Sequence, residues 1–222
     1  IHPFGVVLLL KSKLHNVQVK PSCLVTLKIQ LWTTKMHNYN LKEQIPLIIP
    51  QRLGDHRGFF AETYSRQKYA GMGVDVEFVQ DNHSLSRNVG TLRGLHFQAP
   101  PHAQGKLVRC GRGAFFDVAL DIRRGSPTYG QWVGYVLSAE NGHQLYVPVG
   151  FAHGFVTLEP DSEIIYKCSD YYAPETEGLL RWDDPDIGIE WPLKGNSTLS
   201  EKDAIAPLLK GFESPFIFGE NV

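Results

Sequence analysis

From residue 37 onward, apolar and polar residues alternate in short runs separated by glycine and proline. That is the pattern of strands joined by turns. In Phe116–Ile122, apolar residues 116, 118, 120 and 122 alternate with Asp117, Ala119 and Asp121, which predicts a half-buried strand. Gly125-Ser-Pro-Thr-Tyr-Gly130 predicts a turn, and Gln131–Leu137 the next strand. The run Gln144–Val147 follows Gly142 and is broken by Pro148-Val-Gly150. Glu163–Cys168 predicts a further strand with Ile164, Tyr166 and Cys168 on one face. Many short strands at this spacing predict a sandwich or barrel. Helical signals are confined to Ser65–Ala70 and Ser200–Ala206, with Ser65 and Ser200 as N-caps.

Residues 1–35 differ: short apolar runs mix with isolated lysines and no period emerges. The expectation is one domain over residues 36–222 that starts naturally at Met36, the earlier segment being upstream sequence read in frame or disordered. The alternative is a genuine N-terminal extension with edge strands. Val6–Leu10 is followed at once by Lys11, Lys13 and His15, which argues against a signal peptide. No apolar run approaches the roughly 18 residues of a membrane span.

Composition narrows the classes further. A net charge of -1 predicts neither nucleic-acid binding nor docking on an anionic membrane. Cys23, Cys110 and Cys168 are odd in number and far apart, which argues against a disulfide framework and a structural zinc site. A reducing cytoplasm is the expected location.

Two spacings carry the chemistry. Gly142-x5-Pro148-x-Gly150-x2-His153 resembles the second signature of the cupin superfamily, with Thr157 where that pattern ends in asparagine. Gly90-x5-His96-x-Gln98 resembles the first, with glutamine in place of its second histidine. The resemblance implies an all-β, cupin-type double-stranded β-helix, or jelly roll, with a few short helices. Metal-binding cupins use three histidines and a glutamate. Gln98 and the lack of a glutamate between it and Phe116 make a poor divalent-metal site. The expectation is a metal-free barrel with both histidines free for acid–base work. A lone strand histidine is ordinarily structural, but here polar groups crowd His96: Asp81, Asn82, His83, Arg93, Gln98 and Lys106.

Seven segments make a more specific resemblance. They are Asp55-His-Arg-Gly-Phe-Phe60, Phe78-Val-Gln-Asp-Asn-His-Ser84, Leu92-Arg-Gly-Leu-His-Phe-Gln98, Gln104-Gly-Lys-Leu-Val-Arg109, Gly150-Phe-Ala-His-Gly-Phe155, Tyr166-Lys-Cys-Ser-Asp-Tyr-Tyr172 and Leu199-Ser-Glu-Lys-Asp203. In this order, they are similar to the dTDP-4-dehydrorhamnose 3,5-epimerases, isomerases that invert both carbons flanking a C4 ketone. The resemblance implies a dTDP-sugar substrate and no metal or redox cofactor. It also implies a homodimer in which strand exchange can carry Arg57- and Phe60-type residues into the partner's site. It implies His96 as base, Asp203 as its carboxylate partner, Lys106 at the ketone oxygen and Tyr166 as the opposing acid. Arg57 and Arg93 match diphosphate-binding residues. Phe60, Glu62, Gln80, Asn82, Glu177 and Lys202 match the nucleotide-facing set, and His153 a residue near the sugar. An epimerase acting on one carbon is the nearest alternative, with Tyr166 as the residue on which double inversion depends. A metal-dependent cupin and a non-catalytic binding module are more distant ones. Regular strand geometry puts Arg93 and His96 on opposite faces, unless Gly94 allows an irregularity.

Overall fold

The structure is a computed structural model that describes residues 39–193 and 195–220. The expectation for residues 1–35, and Cys23 with it, lies outside the described residues. The chain divides into two units, Ile1–Tyr39 and Asn40–Val222; all elements below belong to the second.

Two five-stranded antiparallel sheets form the framework. The first has the order β1 (Leu47–Ile48), β9 (Gln144–Val147), β6 (Lys106–Arg112), β11 (Ser162–Cys168) and β4 (Gln80–Ser86). The second runs β12 (Glu177–Leu179), β5 (Leu92–Gln98), β10 (Phe151–Thr157), β7 (Ala114–Asp121) and β8 (Trp132–Ser138). A separate hairpin pairs β2 (Arg52–Asp55) with β3 (Gly58–Ala61). The short helices are α1 (Leu41–Gln44), α2 (Arg66–Ala70) and α3 (Glu201–Ala204). The expected jelly-roll architecture is therefore present, as are the strands read from the sequence.

Alternation decides what each strand buries. Val108, Cys110, Leu145, Val147 and Ile164 of the first sheet meet Phe115, Ala119, Val133, Leu137, Phe151 and Phe155 of the second. Each buried Leu, Ile or Phe contributes about 1.5–3 kcal/mol. Strand β7 corrects the half-buried expectation. Its other face packs Val118 and Leu120, with Ile122 just beyond the strand, under Leu180, Ile187 and Phe216. Both faces are dry because the C-terminal segment covers the outside of the second sheet. Asp117 and Asp121, which share the inward parity of Phe115 and Ala119, are fully buried on the other face. Asp121 accepts from Ser126, Thr128 and Arg123 and so holds the predicted 125–130 turn.

The helix readings fare unevenly. Ser200 caps α3 by accepting from the Asp203 N–H, but Ser65 precedes α2 without a side-chain cap bond. Helix α1, capped by Asn40, has no counterpart in the sequence reading; four residues are too few to show a helical period.

Candidate active site

Two adjoining cavities of about 410 and 300 Å³ open between the sheets and share His96, Lys106 and Tyr166. The larger adds Arg93, His153, Ser200, Lys202 and Asp203; the smaller adds Gln80, Asn82, Gln98, Gln104, Tyr172 and Glu177. His96 comes from β5 and His153 from β10 of the second sheet. Lys106, Tyr166, Gln80 and Asn82 come from β6, β11 and β4 of the first. The cleft therefore presents different walls to whatever lies in it.

A bulge in β5 resolves the placement of Arg93. His153 pairs with His96 and Phe155 with Arg93, so three steps on β5 oppose two on β10. The extra residue restores a common face, and both side chains line the same cavity. Gly94 has a φ of 134°, and a Cβ there would lie 2.5 Å from the Gly154 Cα. Only glycine fits this contact between the two backbones.

His96 Nε2 lies 2.5 Å from Asp203 Oδ1, and Ser200 Oγ donates to Asp203 Oδ2 at 2.8 Å. A proton on Nε2 leaves Nδ1 as the basic nitrogen of a neutral imidazole. Burial pushes the Asp203 carboxyl up, but the His96 and Ser200 hydrogen bonds and the charges of His96 and Lys202 outweigh it; its pKa lies below the ordinary value.

A second pair sits beside the first. His153 Nε2 lies 2.8 Å from Asp117 Oδ1, while Asp117 Oδ2 is buried without a hydrogen-bond partner. Burial holds the Asp117 carboxyl above its usual range, against the opposing pull of His153 and Lys106. Burial also depresses the Lys106 ammonium, with Cys168, Glu177 and Asp117 opposing. The Tyr166 phenol is raised by burial, with Arg93 and Asn82 opposing, so it stays protonated at neutral pH.

Gln98 stands where the cupin pattern has its second histidine, and its carboxamide is fully engaged. Nε2 donates to the carbonyls of His102 at 2.6 Å and Tyr171 at 3.1 Å, and Oε1 accepts from the Ala173 N–H at 3.0 Å. It ties together two loops at the mouth of the cleft. Among the described residues no group of three or more His, Cys, Asp or Glu could hold a metal ion. Cys110 and Cys168 are free and buried.

Glu177 and Lys202 bracket the cleft as an ion pair at 2.8 Å. Three expected residues lie elsewhere. Arg57 pairs with Asp55 near the tip of the β2–β3 hairpin, Phe60 is 68% exposed on it, and Glu62 pairs with Lys68. None of them lines the cleft of its own chain. The sequence reading missed Asp117 and Tyr172. Asp117 lies on the face of β7 that the alternation leaves polar, and the structure turns that face inward with Phe115 and Ala119. Tyr172 lies in a loop, where no period reports direction.

Comparison with known proteins agrees with this geometry. The family model described as dTDP-4-dehydrorhamnose 3,5-epimerase matches residues 40–211. A curated relative of that name from Salmonella typhimurium is 56% identical, over 76% of this chain and 94% of its own. The crystal structure of dTDP-6-deoxy-D-glucose-3,5-epimerase from Legionella pneumophila, in complex with dTDP-4-keto-L-rhamnose, is 47% identical. It superposes with a TM-score of 0.75 over 78% of this chain and 92% of that one. A 3'-monoepimerase from Streptomyces bikiniensis, in complex with dTDP-quinovose, is 36% identical with a TM-score of 0.71, covering 75% of this chain and 84% of that one. With the family model spanning most of the chain and relatives at this identity, the chain belongs to the dTDP-4-dehydrorhamnose 3,5-epimerase family.

Proposed function

We propose that this protein converts dTDP-4-dehydro-6-deoxy-D-glucose to dTDP-4-dehydro-L-rhamnose, inverting C3 and C5, in dTDP-L-rhamnose biosynthesis. One observation carries the reading: His96, backed by Asp203, belongs to one sheet, whereas Tyr166 and Lys106 belong to the other. Epimerisation next to a ketone needs a base on one side of the ring and an acid on the other. His96 takes the proton from the carbon beside C4, and the C–H electron pair moves into an enolate. Lys106 stabilises the negative C4 oxygen. Tyr166 returns a proton from the opposite side, and exchange with solvent resets both groups. Only protons move, so the balance needs no redox cofactor or metal.

Binding follows the cleft. Arg93 suits a diphosphate through its guanidinium fork. Gln80, Asn82, Glu177 and Lys202 face the nucleotide, and His153 the sugar. The hairpin, with Leu53, Phe59 and Phe60 exposed, supports a homodimer in which Arg57, Phe60 and Glu62 complete the cleft of a second copy. Among the described residues no helix is long and apolar enough to cross a membrane. The reading places the enzyme in the cytoplasm, acting on a small molecule rather than on nucleic acid or lipid.

A one-carbon epimerase is the second reading, favoured by the 3'-monoepimerase relative. Turnover in deuterated water separates the two. Label at both C3 and C5 is expected, and label at a single carbon overturns double inversion. Sizing in solution is expected to give twice the 25.0 kDa chain mass; a monomer at catalytic concentration would remove the shared cleft.

A further inference from the structure

Helix α3 starts at Ser200, whose backbone is extended and whose Oγ accepts the Asp203 N–H at 3.3 Å. An N-cap needs only that acceptor. The hydroxyl proton is therefore available for something else, and it is aimed at Asp203 Oδ2, 2.8 Å away. The other oxygen of the same carboxylate is on His96 Nε2. Asp203 is held at both oxygens and is only 1% exposed.

We propose that Ser200 is a positioning residue for proton abstraction: its hydroxyl fixes the Asp203 carboxylate on His96 and weakens its basicity, so that Asp203 orients the imidazole without capturing its proton. The proposal rests on the reading of His96 as base. A carboxylate free to turn about its terminal torsion would hold the imidazole at a wider range of angles. One without the serine proton would bind the His96 proton more tightly. The other charged or titratable groups facing the pair are Lys202 on α3, Arg93 on β5, Lys106 on β6, His153 on β10 and Tyr166 on β11. Glu177 on β12 reaches it through Lys202. Ser200 is the group that binds Asp203 Oδ2 and has no charge of its own.

Three substitutions separate positioning from capping. S200A removes both roles, S200G keeps a tolerated N-cap residue but has no hydroxyl to donate to Asp203, and S200T keeps both. S200A and S200G are expected to lower kcat about tenfold, the scale of one hydrogen bond to a charged group. KM should change little, and the acid limb of kcat/KM should move to higher pH. S200T should recover most of kcat and the parental pH profile. If S200G matches the parent in kcat and pH profile, the hydroxyl is only a helix cap and the proposal falls. D203N serves as the control. Loss of turnover in D203N with a normal S200G removes Ser200 alone; full turnover in D203N removes the His96–Asp203 reading beneath it.

Discussion

Two His–Asp pairs stand side by side on neighbouring strands, and their carboxylates lie on opposite sides of the ordinary pKa. His96 and His153 are register partners, and each places Nε2 on an aspartate oxygen. Asp117 comes from the strand next to His153, in the middle of the sheet, where its second oxygen is buried and has no hydrogen-bond partner. Asp203 comes from the start of a short helix, where Ser200 and Lys202 are at hand. A strand interior buries a carboxylate; a helix start surrounds it with donors. The first arrangement favours a neutral acid and the second a fixed anion, which is what an imidazole base needs behind it.

The largest test of this difference is on turnover. H96N is expected to lower kcat by about 10²–10⁴-fold, the usual share of general-base catalysis, while H153N should cost about tenfold, the scale of one hydrogen bond to a charged group. Equal losses in steady-state assays would show that the two pairs share the proton work. A smaller effect concerns stability against pH. The folded pKa of Asp203 is depressed, so its ionised form stabilises the fold above the ordinary value of 3.8 and that gain is lost as pH falls through the folded pKa. D203N should therefore unfold earlier than the parent at pH 7, with the gap closing in acid. The folded pKa of Asp117 is raised, so its contribution is complete below 3.8 and is lost as pH rises through the folded pKa. D117N cannot ionise and should therefore gain on the parent as pH rises through the folded pKa of Asp117. Thermal melts at pH 3.5 and 7 give the sign for each; the same sign for both would break the contrast.

The strands were legible because one face of each had to be apolar, and alternation reports that directly. What alternation cannot report is a second covering layer, which is why β7 reads as half-buried although residues from Leu180 onward bury its other side. The site residues His96, Lys106, Tyr166 and Asp203 were legible through motif resemblance, whereas their convergence depends on long-range pairing. Arg93 shows the limit most clearly. Strand parity puts it on the wrong face, and one extra residue at the bulge puts it back. Arg57, Phe60 and Glu62 show another limit: motif matching names residues without telling whether they reach the cleft of their own chain, and these do not line it.

Gln98 has a consequence for the shape of the cleft. An imidazole at this position could not donate to two carbonyls and accept an amide proton at the same time. The carboxamide is therefore a three-way strut, and a histidine in its place would release at least one of the two loops that it ties together.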